Sequence, residues 1–284
     1  VFPVPDLDKA RARHEALGFC VAADARHPFG TENACVFLPD GTYLEPLAVG
    51  HRETCEKAAL KGNMFVARDQ AFRFRNGDNG FSAIALSTSD AAGDRAAFAR
   101  LGMSGGRNLP FSRVFDDGKG NRGTASFELA FASDLRAPDA FMFTCQRKVQ
   151  PPAVPPRLRR HANGVKGIAS IVGAEQNPSD FHYFLEGVLS QRGVSAHSFG
   201  IDIEAANTRI EIMNADGMRA WFGLDETLAE RGLRFRAVIF ATTSLAGVRE
   251  ILKSNGISWR ETMKRIVIDP APGQGAIYAF EDAK

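Results

Sequence analysis

The chain has 284 residues, 44% apolar and 24% charged, a balance that excludes disorder and collagen-like structure. Its length exceeds a single core of roughly 100 to 200 residues, so two domains are expected. With 35 basic and 33 acidic residues the formal net charge is +2, too even for a nucleic-acid footprint, and no apolar run approaches the ~20 residues of a bilayer span.

The first predicted helix starts at Asp6 and stops at Gly18, in DLDKARARHEALGF. The same spacing returns from Asp90 to Gly102 and from Ser244 to Gly256, with a looser copy from Asn177 to Gly193. Each copy opens on a side chain that can cap the free N–H groups of a first turn and closes on a glycine suited to the left-handed stop. β-Rich segments follow each copy. After the first come FCVAAD and NACVFLPDGTYLEPLAV, the latter with a hairpin turn at Pro39-Asp40-Gly41. After the second come a hairpin around the Gly-rich turn Asp117 to Gly123 and the strand AFMFTCQ. Residues 150–164, QPPAVPPRLRRHANG, lack periodicity and carry four prolines, which predicts an extended tether holding the basic cluster Arg157, Arg159 and Arg160. Beyond it, GIASIVG, FGIDIEA, TRIEIMN, RFRAVIFAT, RIVIDP and GAIYAFE read as strands around the remaining two helices.

Repetition of strand, helix and three strands makes four βαβββ modules. One such module leaves an apolar face and unpaired edges, so the modules are expected to pair into two cupped, barrel-like mixed sheets with helices outside, an α+β fold. The boundaries expected are 1–149 for the first domain, 150–164 for the linker and 165–284 for the second. Cys20, Cys35, Cys55 and Cys145 show no CxxC spacing, which argues against a structural zinc site and for free thiols in a reducing cytoplasm. The sequence starts at Val1 without Met, so a processed leader stays open as an expectation.

The D-L-D-x-A helix start, the LGF stop, the H-P-F-G-T-x-N loop and the GTYLE strand of residues 6–49 resemble the glyoxalase-like branch of the vicinal oxygen chelate superfamily. APDAFMFTCQ and RHANGVKGI extend the resemblance more weakly. It implies a divalent metal, Zn, Ni, Mn or Fe, held by His and Glu from the first and last strands of paired modules. On that pattern Glu45 is the metal ligand and a catalytic candidate, while the first-strand His would fall one or two positions before Val1. Alternation puts Tyr43, Glu45 and Leu47 on one face and Leu44 and Pro46 on the other. At the comparable places module two offers Phe81, Ser82, Ala83, Cys145 and Gln146, and the later modules Ala169, Ser170, Phe235, Arg236, Tyr278 and Ala279. These cannot form a two-His, one-carboxylate set, so a ring-cleaving dioxygenase is disfavoured and the second half reads as a structural copy.

His27 is the second catalytic candidate, because an imidazole titrates near neutrality. Thr31, Asn33, Tyr43, Arg113 and Cys145 are the substrate-binding candidates. The expected function is a metal-dependent lyase or isomerase acting on a small oxygenated metabolite in the N-terminal cup. The alternative is a metal-free small-molecule binding or sequestering protein of the bleomycin-resistance type. A small-molecule ligand is expected as partner, with no nucleic acid or membrane, in a monomer or homodimer.

Overall fold

A computed structural model describes residues 1–116, 122–224 and 230–283. In chain order the elements are β1 (Phe2–Pro3), α1 (Leu7–Ala16), β2 (Ala25–Arg26), β3 (Thr31–Asn33), β4 (Val36–Phe37), β5 (Tyr43–Leu44), β6 (Pro46–Val49), α2 (Arg52–Leu60) and α3 (Met64–Asn76). Then follow β7 (Ala83–Thr88), α4 (Ala91–Arg100), β8 (Leu109–Asp116), β9 (Arg122–Ala132) and β10 (Phe141–Val149). The remainder holds β11 (Val165–Ala174), α5 (His182–Leu189), β12 (Ser195–His197), β13 (Gly200–Glu204), β14 (Arg209–Met213), α6 (Ala215–Phe222), β15 (Arg234–Thr242), α7 (Leu245–Ser254), β16 (Arg260–Thr262), β17 (Arg265–Ile268) and β18 (Ile277–Asp282).

Three of the four spaced helices form as their caps dictate. Asp6, Asp90 and Ser244 accept from the N–H groups of Lys9, Gly93 and Gly247. Gly18, Gly102 and Gly256 take φ of +83°, +70° and +63° just past the ends. The looser copy differs. Asn177 opens a 3-10 turn over Pro178–Phe181, and α5 stops on Ser190 at φ +50°, ahead of Gly193.

The strands order as β1-β6-β3-β2, β7-β10-β9-β8 and β12-β13-β14-β11-β15-β18-β17-β16, with β4 and β5 as a separate hairpin. Gly80 N–H donates to Pro3 O and Ser82 N–H to Val1 O, both at 3.1 Å, and join the first two sheets edge to edge. The first half thereby repeats the order of the second, with antiparallel contact between the first strands of its two modules and parallel pairing of each first strand with its own module's last. The fold is α+β with mixed sheets, as expected, but the sheets stay open rather than closing into a barrel, with β16 and β12 as edges of the largest.

FCVAAD does not become a strand. The Val21 and Ala22 carbonyls accept from the Arg11 guanidinium at 3.4 and 2.9 Å, and Ala22 N–H donates to Cys35 O at 2.8 Å, without a continuous ladder forming. The Asp40 hairpin forms, with Gly41 at φ +90° and Thr42 N–H donating to Asp40 Oδ1. Strands β8 and β9 pair as expected, while turn residues 117–121 lie outside the described residues. The Pro-rich segment is docked rather than an open tether. His161 accepts from Cys20 N–H at 3.0 Å through Nδ1 and donates to Phe37 O at 2.9 Å through Nε2, and Asn163 donates to Leu17 O.

The largest apolar cluster lies between the halves. It takes in Leu7 and Ala10 of α1, Phe98 of α4, Leu185 of α5 and Leu252 of α7, with Phe2, Met142, Val238 and Phe280 from the strands. Phe2 stacks on Phe81 at 4.4 Å between ring centroids, and Phe81 meets Phe235 at 5.0 Å. The opposite face of each sheet, the inside of the expected cup, is filled by connector helices. Phe65 and Val66 of α3 and Cys55 of α2 pack on Leu47, Ala83, Leu129 and Phe143. Met218 and Phe222 of α6 pack on Val172, Ile239, Val267 and Ala279. Each buried phenylalanine contributes roughly 2–3 kcal/mol, so these helices hold the cups closed where an open cavity is expected from the modules alone.

Candidate functional site

Glu45 falls at the break between β5 and β6. Its carbonyl accepts from Phe2 N–H at 2.8 Å, and its side chain is 12% exposed. The alternation expected of this stretch holds, since Leu47 packs in the cup while Leu44 packs between the halves. Next to β6 in the sheet, β3 carries Asn33, which is 2% exposed and donates from Nδ2 to Glu45 Oε1 at 2.6 Å. The 27–31 turn is closed by His27 N–H to Thr31 O, and brings the His27 ring to the same place.

His27 Nδ1 lies 2.9 Å from Thr31 Oγ1, and Nε2 lies 3.5 Å from Asn33 Nδ2 and 3.8 Å from Glu45 Oε1. Because the Asn33 amide nitrogen is a donor, Nε2 is the acceptor and Nδ1 carries the hydrogen. Burial pushes the His27 pKa down to about 4. The Glu45 carboxylate opposes that shift and the Arg113 charge adds to it. The imidazole is therefore neutral near pH 7 and its contact with Glu45 is not an ion pair. Aromatic rings enclose it. Phe29 stacks at 5.0 Å and 12°, while Phe65 and Phe111 present edges at 6.1 and 5.9 Å. Asn33 Oδ1 is buried without a hydrogen-bond partner among the described residues.

A cavity of about 460 Å³ reaches Glu45 from the interface between the halves. Tyr43, Glu45, Thr144, Cys145 and Arg147 line it on one side, with Ile168, Ile171 and Val238 of the second half across from them. Of the sequence-derived candidates, Tyr43, Glu45 and Cys145 thus face the cavity. Asn33 holds Glu45 by its hydrogen bond, and Thr31 bonds the His27 ring that stands beside it. Arg113 on β8 acts by charge, opposing the burial-driven rise of the Cys35 and Cys145 thiols, and its guanidinium lies 5.7 Å from the Phe127 ring centre. Burial raises Cys145 to about 11, which suits a packing thiol better than a nucleophile. Burial likewise raises the Tyr43 phenol.

Sequence reading misses Thr144 and Arg147, which carry no local signature, and the aromatic box, assembled from three separate segments. It also misses Glu211. Thr42-Tyr43-Leu44-Glu45 has a counterpart in Thr208-Arg209-Ile210-Glu211, on the last strand of module three. Glu211 accepts from Ser170 Oγ much as Glu45 accepts from Asn33. That repeated tetrad is the signal that could have found it.

The donor set does not fit a metal on its own. His27 and Glu45 are two conventional ligands, whereas a protein site takes three or more. Among the described residues no three His, Cys, Asp or Glu side chains gather to hold an ion. The third neighbour, Asn33, turns an N–H toward the carboxylate.

Comparison with known proteins agrees with this fold. A model of the glyoxalase-like domain matches residues 1–189. No curated protein matches the chain. Among solved structures, a hypothetical protein from Staphylococcus aureus superposes with a TM-score of 0.63 at 16% identity, covering 93% of this chain and 90% of its own. A mutant of 4-hydroxymandelate synthase from Streptomyces coelicolor gives 0.63 at 14%, covering 100% and 92%. The Mn(II)-bound glyoxalase from Novosphingobium aromaticivorans gives 0.54 at 15%, covering 98% and 79%. At these identities the likeness is one of fold. With the family model spanning well over half of its length, the chain belongs to the glyoxalase-like domain family and so to the vicinal oxygen chelate superfamily.

Proposed function

We propose that the protein binds a small oxygenated metabolite at Glu45, with no metal held by the residues from Val1 onward, in a first domain of residues 1–149 joined through 150–164 to a second of 165–284. One observation carries the reading. Glu45 is the residue shared by the cavity and by the buried polar cluster, so a ligand entering from the interface meets a carboxylate already fixed by Asn33. A ligand hydroxyl would donate to Glu45, and a second donor would satisfy the Asn33 carbonyl. Arg147 at the cavity wall and the charge of Arg113 suit a ligand with negative or developing negative charge.

A second reading, a proton-transferring lyase or isomerase, is favoured by the neutral state of His27. Its Nε2 lies 3.8 Å from Glu45 Oε1, so it could take a proton from a carbon or hydroxyl held there in exchange for the Asn33 hydrogen bond. The protein's location and oligomeric state do not bear on either reading. Among the described residues no helix is long and apolar enough to cross a membrane.

The test has two stages. Protein incubated with zinc, nickel, manganese and iron and then desalted is analysed for bound metal. It is next screened by thermal shift against small hydroxy-carbonyl compounds that carry no carboxylate, such as glycolaldehyde, hydroxyacetone and dihydroxyacetone. The expected outcome is no retained metal and a saturable shift that Glu45→Gln removes. Stoichiometric metal that is lost in Glu45→Gln would overturn the metal-free reading in favour of chelation.

A further inference from the structure

The second half's inner face holds a cluster that the site at Glu45 does not use. Helix α6 leaves β14 and crosses to β16, where Thr262 Oγ1 donates to Ala220 O at 3.3 Å and Arg260 Nε to Phe222 O at 2.6 Å. Val267 packs in the inner cluster. Alternation along β17 therefore puts Arg265 on that face, and Arg260, directly opposite Val267 on β16, joins it. Trp221 near the end of α6 completes the corner, with the Arg265 guanidinium 4.7 Å from its ring centre.

The carboxylates here are already engaged. Glu281 takes Arg265 at 2.7 Å through Nε, Asp269 takes Arg260 Nη1 at 2.7 Å, and Glu211 takes the Ser170 hydroxyl. What remains is a set of donors. Trp221 Nε1, Arg260 Nη2 and Arg265 Nη1 are buried with no acceptor among the described residues. A buried N–H without an acceptor is costly, and three around one helix end call for an oxygen-rich partner. The Arg260 side chain keeps 29% of its surface exposed, although its Nη2 is buried, so a ligand enters by moving this side chain.

We propose that the Trp221–Arg260–Arg265 corner of the second half is a binding site for a small carboxylate. The ligand's two oxygens would accept from the indole N–H and from guanidinium N–H groups, in the planar geometry that carboxylates and arginine share. The site lies outside residues 1–189, over which the family match runs, and does not depend on the function assigned to Glu45.

Trp221 is one of two tryptophans and reports on its own site once Trp259→Phe silences the other. Sodium acetate and sodium pyruvate are titrated against sodium chloride at matched ionic strength. A saturable change in Trp221 fluorescence with a carboxylate, absent with chloride, is expected. Arg265→Gln should weaken it about tenfold or more, the scale of one charge-assisted hydrogen bond. Trp221→Phe keeps a ring under the guanidinium and removes one N–H. Read by thermal shift, it should lower the carboxylate-induced stabilisation even if Arg265→Gln fails to fold. Glu45→Gln should leave the response unchanged, which separates this site from the first. No saturable response, an equal response to chloride, or a thermal shift unaltered in Trp221→Phe would each overturn the proposal.

Discussion

Removing Asn33 should reveal how strongly the candidate site is built. Asn33→Ala deletes a 2.6 Å donor to Glu45 from a side chain that is 2% exposed, and leaves a carboxylate with little access to water in its place. A hydrogen bond to a charged group contributes about 1.5–3 kcal/mol, so the single variant should lose about 2–3 kcal/mol. Glu45→Gln removes the charge but keeps an acceptor, and should cost about 1 kcal/mol. In a double-mutant cycle the two changes should couple by about 1 kcal/mol, the most that the smaller single effect allows. Urea unfolding followed by both tryptophan fluorescence and far-UV circular dichroism measures the cycle and tests whether unfolding is two-state. Asn33→Asp sharpens the test by placing two carboxyl groups side by side. That variant should be unstable at neutral pH and recover on acidification, as one proton comes to be shared. A coupling below about 0.5 kcal/mol would refute the view that Asn33 fixes Glu45.

Acid sensitivity should come in part from His14. Its Nδ1 donates to Ala10 O at 2.7 Å, its Nε2 accepts from Tyr278 at 2.9 Å, and burial lowers its pKa to about 4. With the folded value depressed, its contribution is complete above the unfolded pKa of about 6.5 and is lost as pH falls toward 4, on the order of 3 kcal/mol in all. His14→Phe should flatten the dependence of unfolding free energy on pH between those limits, and an unchanged slope would refute the assignment. His161→Ala strips the partners from Cys20 N–H and Phe37 O. It should cost about 1–3 kcal/mol and speed limited proteolysis within the Pro-rich segment. Cleavage at the original rate would mean that the segment is held elsewhere.

The sequence by itself determined the modules. A capping side chain and a stop glycine act within one helix, so Asp6 with Gly18 and Ser244 with Gly256 are legible from spacing alone. Two-residue alternation likewise assigned Glu45 and Leu47 to one face, because that period belongs to the strand itself. What only the tertiary structure decided is where distant groups meet. The Val21 and Ala22 carbonyls meet the Arg11 guanidinium where a strand is expected. Helices α3 and α6 fill the cups through contacts no local pattern records. The candidate site follows the same division. His27, Thr31, Asn33 and Glu45 lie within 19 residues on neighbouring strands and could be named in advance. Their enclosure by Phe65 and Phe111, and the meeting of Trp221 with the Arg260–Arg265 hairpin, depend on burial and on contacts between segments distant in sequence. Those are properties of the packed chain, which short-range sequence preferences do not encode.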